Sequence, residues 1–358
     1  MSAPPSSEDP ETRLAGPGGI DGFRRALLDW FGREARDYPW RRTKDPYAIL
    51  VSEAMLQQTQ IATVLGRGYY ERWMQAFPNW EALAAASEEE VLKCWEGLGY
   101  YNRARHLKNT AAIVVSEHGG DFPDDPGQVL ALPGVGRYTA GAVLSIAFGR
   151  RAAVVDGNVA RVFSRIFAME VPVNALEGVR QLWEWAEALV PEHAPGAFNA
   201  ALMELGQRIC RPTSPDCGAC PVRDSCRAFA AGNPSSYPIK RRGPGITAKE
   251  ERVVLADRDG RVFLTPETGA RRRGLWRLPE LGEEDAADWE ELFRFDYPIT
   301  RYRVTLRVFA APVSWTPVAG EGGWFDCRDA SALPPLGAPY RKALDRYGEV
   351  NGGGDRLL

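Results

Sequence analysis

The sequence predicts two kinds of structure in one chain: an all-α body over residues 20–231 and an α+β domain over residues 251–350. Three observations predict this division. Apolar residues recur at helical spacing in runs from Ile20 to Leu205. A tight turn, Leu132-Pro133-Gly134-Val135-Gly136, separates two of those runs and is followed some twenty residues on by an acid, Asp156. After Cys226 the composition shifts to Pro, Gly and Ser, and beyond that stretch apolar and polar residues alternate.

A chain of 358 residues is long enough for two hydrophobic cores. Its formal net charge of −3 excludes a uniformly basic nucleic-acid binder, so any such surface is local. Basic runs occur at Lys240-Arg241-Arg242, at Arg271-Arg272-Arg273, and at Arg301, Arg303 and Arg307. No apolar run approaches membrane-spanning length and no signal-peptide core opens the chain. A cytoplasmic protein without a membrane partner is expected.

Residues 1–19, rich in Pro, Ser, Gly and acids, predict a disordered leader. Phe23, Leu27, Leu28 and Phe31 predict a first helix. The loop Tyr38-Pro39-Trp40-Arg41-Arg42 offers Arg41 to a phosphate. Asp45-Pro46 suits a helix start, with Asp at the cap and Pro in the first turn. The helix that follows, from Tyr47 to about residue 64, sets Glu53 among Ile49, Leu50, Val51, Met55 and Leu56. On this segment alone Glu53 reads as an exposed helix residue; were it desolvated there, its carboxyl would hold its proton near neutral pH, as a general acid must. Gln57, Gln58 and Thr59 add amides and a hydroxyl at its far end.

Residues 73–115 predict further helices, interrupted by Gly97-Leu98-Gly99-Tyr100-Tyr101 beside Arg103 and Arg105. Tyr100 suits either a wedge into a base stack or a place in the core. The turn at residues 132–136 frees the backbone N–H groups of the next helix, over residues 137–148, to face an anion. Asp156-Gly157-Asn158 then follows a short apolar run. Residues 178–206 predict core-forming helices. Cys210, Cys217, Cys220 and Cys226 form a C-x6-C-x2-C-x5-C block, spacing that suits zinc or a [4Fe–4S] cluster. Cys94 and Cys327 are isolated packing residues.

Residues 232–250 predict a linker. Arg252–Ala256 and Arg261–Leu264 flank the turn Asp257-Arg258-Asp259-Gly260, and Arg303–Phe309 alternates as a half-buried strand.

The turn at 132–136 with Asp156 resembles the helix-hairpin-helix DNA glycosylase superfamily. Within it, the block Ser52–Gln60 and the segment Gly97–Arg103 resemble those of the adenine DNA glycosylases, and the cysteine spacing resembles the cluster loop shared with endonuclease III. The resemblance implies a helix-hairpin-helix glycosylase core and selects [4Fe–4S] over zinc. It implies that Leu132, Gly134, Val135 and Gly136 anchor a DNA phosphate, that Gln58, beside Gln57 and Thr59, probes the helix, and that Tyr100 intercalates. Glu53 then protonates adenine, Asp156 stabilises the positive sugar or captures it covalently, and Tyr138 and Asn158 orient the site. Tyr138 stands where the endonuclease III branch has a nucleophilic Lys, which implies base removal without a covalent lyase step.

The segment Gly274–Glu280 resembles Nudix folds without their acidic metal box, implying a Nudix-like domain that reads the base opposite adenine. There Ile299-Thr300-Arg301 departs from the family's Phe-Ser-His, so discrimination for 8-oxoguanine is expected to be weakened or built differently. The implied partner is double-stranded DNA containing a mispaired adenine, met by a monomer that is nucleoid-associated if the source is bacterial. Other readings of the same motifs are a thymine or oxidised-pyrimidine glycosylase and a non-catalytic lesion binder; Tyr138 and the paired carboxyls weigh against them.

Overall fold

A computed structural model describes residues 14, 16–241, 243, 245–269, 272–318 and 320–351. Most of the expected leader, Arg242, Pro244 and Arg271 lie outside the described residues. The chain divides into two compact units, each discontinuous in sequence: residues 1–54 with 117–242, and residues 55–116 with 243–358.

The first unit is helical. Helix α1 (Gly19–Glu34) buries Phe23, Leu27 and Trp30. Leu14 is buried in the same core, so the described end of the expected leader is ordered by packing. Helix α2 (Pro46–Leu56) begins where Asp45 accepts the Tyr47 N–H at 2.9 Å, a side-chain cap on an otherwise orphan donor. It is buried from Tyr47 to Met55, as a helix without a polar face must be. The structure corrects its expected length: it stops at Leu56, eight residues short of 64, and Gln58 takes a left-handed φ of 61°.

Between α2 and the hairpin lie α3 (Ile61–Gly66), α4 (Tyr69–Ala76), α5 (Trp80–Ala85), α6 (Glu88–Cys94) and α7 (Asn102–His118). The hairpin is α8 (Pro126–Ala131), a turn, and α9 (Arg137–Ala147). After it come α10 (Gly157–Ile166), α11 (Leu176–Leu189), α12 (Pro195–Arg208) and the short α13 (Arg227–Ala230). Val159, Val162 and Phe163 of α10 meet Phe198, Leu202 and Leu205 of α12 and Leu182 and Trp185 of α11 in one core.

The second unit joins the helices of residues 55–116 to the C-terminal domain. That domain has a mixed sheet, β1 (Thr247–Leu255), β6 (Tyr302–Ala310) and β5 (Glu291–Ile299), with β1 parallel to β6. A second sheet holds β2 (Asp257–Arg258), β3 (Arg261–Pro266), β4 (Trp276–Arg277) and β7 (Gly323–Asp326). The expected hairpin turn forms at Asp259 and Gly260, both at positive φ. Residues 252–255, expected to be its first arm, instead pair with β6. Val304, Leu306 and Val308 are buried as their alternation predicts, and Leu306 and Val308 share a core with Tyr340 and Leu344 of α14 (Ala338–Asn351).

Residues 55–116 group with this domain because polar side chains of their helices end on its backbone. Lys93 Nζ donates to Ala330 O and Leu333 O at 2.9 and 2.7 Å, and Tyr101 Oη to Leu336 O at 2.8 Å. Such partners, far apart in sequence, leave no periodic signal. Among the described residues no helix is long and apolar enough to cross a membrane.

Candidate active site and cysteine loop

The first unit gathers Glu53, Tyr138, Asp156 and Asn158. Glu53 is 6% exposed on the buried helix α2. Tyr138, in the first turn of α9, donates its hydroxyl to Glu53 Oε2 at 2.6 Å and lies 3.3 Å from Met203 Sδ. Burial pushes the Glu53 carboxyl from 4.5 up to about 7; the Tyr138 hydrogen bond acts against this and the charge of Asp156 adds to it. Asp156 also bears electrostatically on Tyr138, so the three groups share one field.

Asp156 is the N-cap of α10. Its Oδ1 accepts the Val159 N–H at 2.7 Å and its Oδ2 accepts the Asn158 amide at 2.8 Å. Burial raises its pKa from the ordinary 3.8, while those hydrogen bonds and the charge of Arg161 oppose the rise. Two carboxyls thus meet one field with opposite support. Among the described residues Glu53 receives one hydroxyl and no cation, whereas Asp156 sits on backbone donors at a helix N-terminus, which favours the anion.

Removing the Tyr138 hydroxyl removes the contact that holds the Glu53 pKa down. In Tyr138→Phe the Glu53 midpoint should rise above its wild-type value near 7, followed by carboxyl ¹³C NMR against pH. A midpoint that stays or falls would refute the assigned contact.

The hairpin turn holds Leu132 and Val135 buried. Gly134 is at φ 74°, a conformation that a side chain resists, and Gly136 caps α9. Val135 N donates to Leu132 O at 3.1 Å, closing the turn.

Sequence reasoning missed the residues that fasten Asp156 from behind. Arg161, 9% exposed, donates from Nη2 to Asn158 Oδ1 and Gly206 O, both at 2.8 Å, and from Nε to Cys210 O at 2.7 Å. A Cβ on Gly206 would fall 2.6 Å from Asn158 Cβ, so only glycine lets α12 lie this close to the start of α10. Arg165 donates to Cys210 Sγ at 3.2 Å and to the carbonyls of Arg211 and Pro212 at 2.7 and 3.0 Å. The one hint in the sequence was two arginines four apart among Val159, Val162, Phe163 and Ile166, a pattern equally common on solvated helix faces.

Arg41, expected to meet a phosphate, is engaged inside the protein. Its guanidinium pairs with the buried Glu204 carboxylate, stacks at 4.8 Å over Tyr38 and donates to Arg36 O at 2.8 Å. Glu204 also accepts from Arg208 at 2.8 Å, so both cations neutralise one buried acid. Arg41 thus has partners within the protein, and its contact with a DNA phosphate remains a proposal.

Cys210, Cys217, Cys220 and Cys226 are free and line one cavity walled by Val162, Ile166, Leu205 and Val222. Burial pushes the Cys220 thiol up to about 12. Among the described residues no three Cys, His or carboxylate side chains are drawn together tightly enough for a single metal ion. Four thiols around one apolar cavity, with the buried Arg165 beside them, fit an anionic group larger than one ion.

In the second unit, Gln58 and Tyr100 are exposed, each at a left-handed φ, of 61° and 48°. Gln57 and Thr59 flank Gln58 half-buried. Thr300 (φ 49°) and Arg301 form the exposed tip between β5 and β6. Arg301 donates to Tyr302 Oη at 2.9 Å and stacks at 5.1 Å over its ring, with Lys249 Nζ 4.2 Å from the same ring.

The model of HhH-GPD superfamily base excision DNA repair proteins matches residues 51–188, which span α2 through most of α11. The chain is 49% identical over 218 residues to the human adenine DNA glycosylase, covering 58% of this chain and 40% of that one. It is 32% identical over 273 residues to the adenine DNA glycosylase of Buchnera aphidicola subsp. Acyrthosiphon pisum, covering 75% of this chain and 77% of that one.

The chain belongs to the adenine DNA glycosylase family.

Its helical part also superposes on a thermostable thymine-DNA glycosylase with a TM-score of 0.54 and 34% identity, covering 59% of this chain and 97% of that one. The aligned region spans about two fifths of the length of the mammalian adenine DNA glycosylases it matches, at 40% and 42% for human and rat. A helix-hairpin-helix core followed by a domain of strands is thus the architecture of this family member.

Proposed function

We propose that the chain is a monofunctional DNA glycosylase that hydrolyses the N-glycosidic bond of adenine mispaired with 8-oxoguanine or guanine in duplex DNA. One observation carries this reading: Glu53, protonated up to about pH 7, and Asp156, held by backbone and amide donors, act on one another through a shared field. Membership of the adenine DNA glycosylase family supports it.

Glycoside cleavage needs two carboxyls with different duties. The base must first leave the stack, because the bond is out of reach inside a duplex. Glu53 gives its proton to adenine N7. The C1′–N9 bond breaks with its electron pair passing to adenine, which leaves neutral. The Asp156 carboxylate faces the positive sugar, and water adds at C1′ as its proton passes to the Glu53 carboxylate. Tyr138 keeps Glu53 aimed, and Asn158 keeps Asp156 aimed. The hairpin turn at 132–136 serves as the phosphate anchor, and Gln58 and Tyr100 enter the helix beside the extruded base.

Cys210, Cys217, Cys220 and Cys226 would hold a [4Fe–4S] cluster, which when bound would pin the loop that Arg161 ties to Asn158. In the C-terminal domain, Tyr302 carrying Lys249 and Arg301 presents a cationic tip to the opposing base. An Arg donor opposes the N7–H of 8-oxoguanine and suits the bare N7 of guanine.

The test is single-turnover release of base from A:8-oxoguanine, A:G, T:G and matched duplexes, with alkali to expose abasic sites. Adenine release from the mismatches, with a narrow margin between the two opposing bases, is expected. Absence of adenine release, or release of thymine alone, would overturn the reading. A wide margin unaffected by Thr300→Ala and Arg301→Ala would remove the hairpin tip from recognition.

A further inference from the structure

The loop after α2 and the loop before α7 both end in a side chain that the proposed reaction sends into DNA. Both hold that residue in a conformation unfavourable for a non-glycine residue: Gln58 at φ 61° and Tyr100 at φ 48°. Something must hold each in place. One side chain reaches both loops. Arg103, 8% exposed in the first turn of α7, donates from Nη1 to Met55 O at 3.1 Å and Gln57 O at 2.5 Å. From Nη2 it donates to Leu98 O and Gly99 O, each at 3.0 Å. Its guanidinium also lies 5.2 Å from the Trp95 ring centre and 5.7 Å from that of Tyr100.

We infer that Arg103 is the positioning residue that locks the Gln58 and Tyr100 loops into one preformed unit for extruding the base. The inference rests on the proposed glycosylase reading for the use of these loops, and on the geometry alone for their coupling. Met55 and Gln57 lie at the C-terminal end of α2, where helix carbonyls lack intrahelical donors. A planar fork reaches these two oxygens and those of Leu98 and Gly99 at once; an ammonium on a flexible stem does not. Burial lowers the Arg103 pKa to about 10, so the group remains a cation at neutral pH. Four backbone carbonyls, two from each loop region, accept from its guanidinium.

The experiment compares wild type with Arg103→Lys, which keeps the charge and loses the fork. 2-Aminopurine beside the target adenine reports extrusion, and a stable abasic analogue reports binding to DNA that needs no extrusion. We expect extrusion and base release to slow about 10- to 100-fold, as small misplacements do. Affinity for the abasic duplex should stay within about threefold, far below the loss expected when a phosphate-binding surface fails. Adding Tyr100→Ala to Arg103→Lys should cost less than the product of the two single effects. Extrusion at the wild-type rate, a parallel loss of abasic binding, or full multiplicativity would overturn the inference.

If wild type extrudes the reporter but releases no adenine, the glycosylase reading fails while the coupling stands. Should Arg103→Lys not fold, hydrogen exchange on the unmodified protein decides: residues 56–60 and 97–101 must open at one rate, and two independent rates would refute the lock.

Discussion

Glu53→Gln should reduce adenine release by about 10²- to 10⁴-fold, the range for loss of a general acid, with duplex binding retained. Gln keeps an oxygen for the Tyr138 hydroxyl, so the site's shape survives and the proton is lost. The pH dependence follows from the Glu53 pKa near 7, and its sign is definite. The acid is the active form, so the wild-type rate should fall as pH rises through about 7.

Stability follows the same direction. A folded-state pKa raised from 4.5 to about 7 means the native state binds the proton more tightly than the unfolded chain. That contribution is complete below 4.5 and lost as pH rises to about 7, a change of ~3 kcal/mol. Glu53→Gln has no such loss. Its melting temperature should exceed that of wild type by more at about pH 8 than at about pH 5, because only the wild type must ionise a buried acid. Equal pH profiles of stability for the two proteins, or wild-type release by the variant, would remove Glu53 from the mechanism.

Asp156→Asn should be nearly as damaging, with a loss of about 10³-fold in single-turnover release, the scale of removing a fixed electrostatic partner of the transition state. Asn is as good a helix N-cap as Asp, so α10 should remain and the protein should melt near the wild-type temperature. What disappears is the negative charge facing the sugar. Because burial raises the Asp156 pKa while its hydrogen bonds oppose the rise, the acid limb of the wild-type profile should lie above the ordinary carboxylate value of 3.8. With the alkaline limb at Glu53, the profile is a bell. Asp156→Asn that retains most of the wild-type rate would show that the sugar's charge is met elsewhere.

Much of this chemistry was legible along the chain because it is local. The Gly134 turn, the Asp45 cap and the alternation of Val304, Leu306 and Val308 depend on neighbours a few residues away. Glu53 was legible only through the resemblance of residues 52–60, since a helix Glu beside apolar neighbours reads as exposed as readily as buried. The partner of Arg41 was not legible, because a loop arginine reads the same whether it meets solvent or the buried Glu204, 163 positions later. The length of α2 misled because nothing within its own sequence ends it at Leu56; the carbonyls there are taken by Arg103, 46 to 48 positions away.

By itself the sequence determined which groups are present and the turns and caps that aim them: two carboxyls, a phenol in place of an amine, four thiols and a hairpin. Tertiary structure alone decided how those groups act on one another. Burial and the Tyr138 contact set the Glu53 proton near neutrality, Arg161 joined Asn158 to Cys210, and Arg103 joined two distant loops. The physical reason is that hydrogen bonds and desolvation act over a few ångströms of space, whatever the separation along the chain.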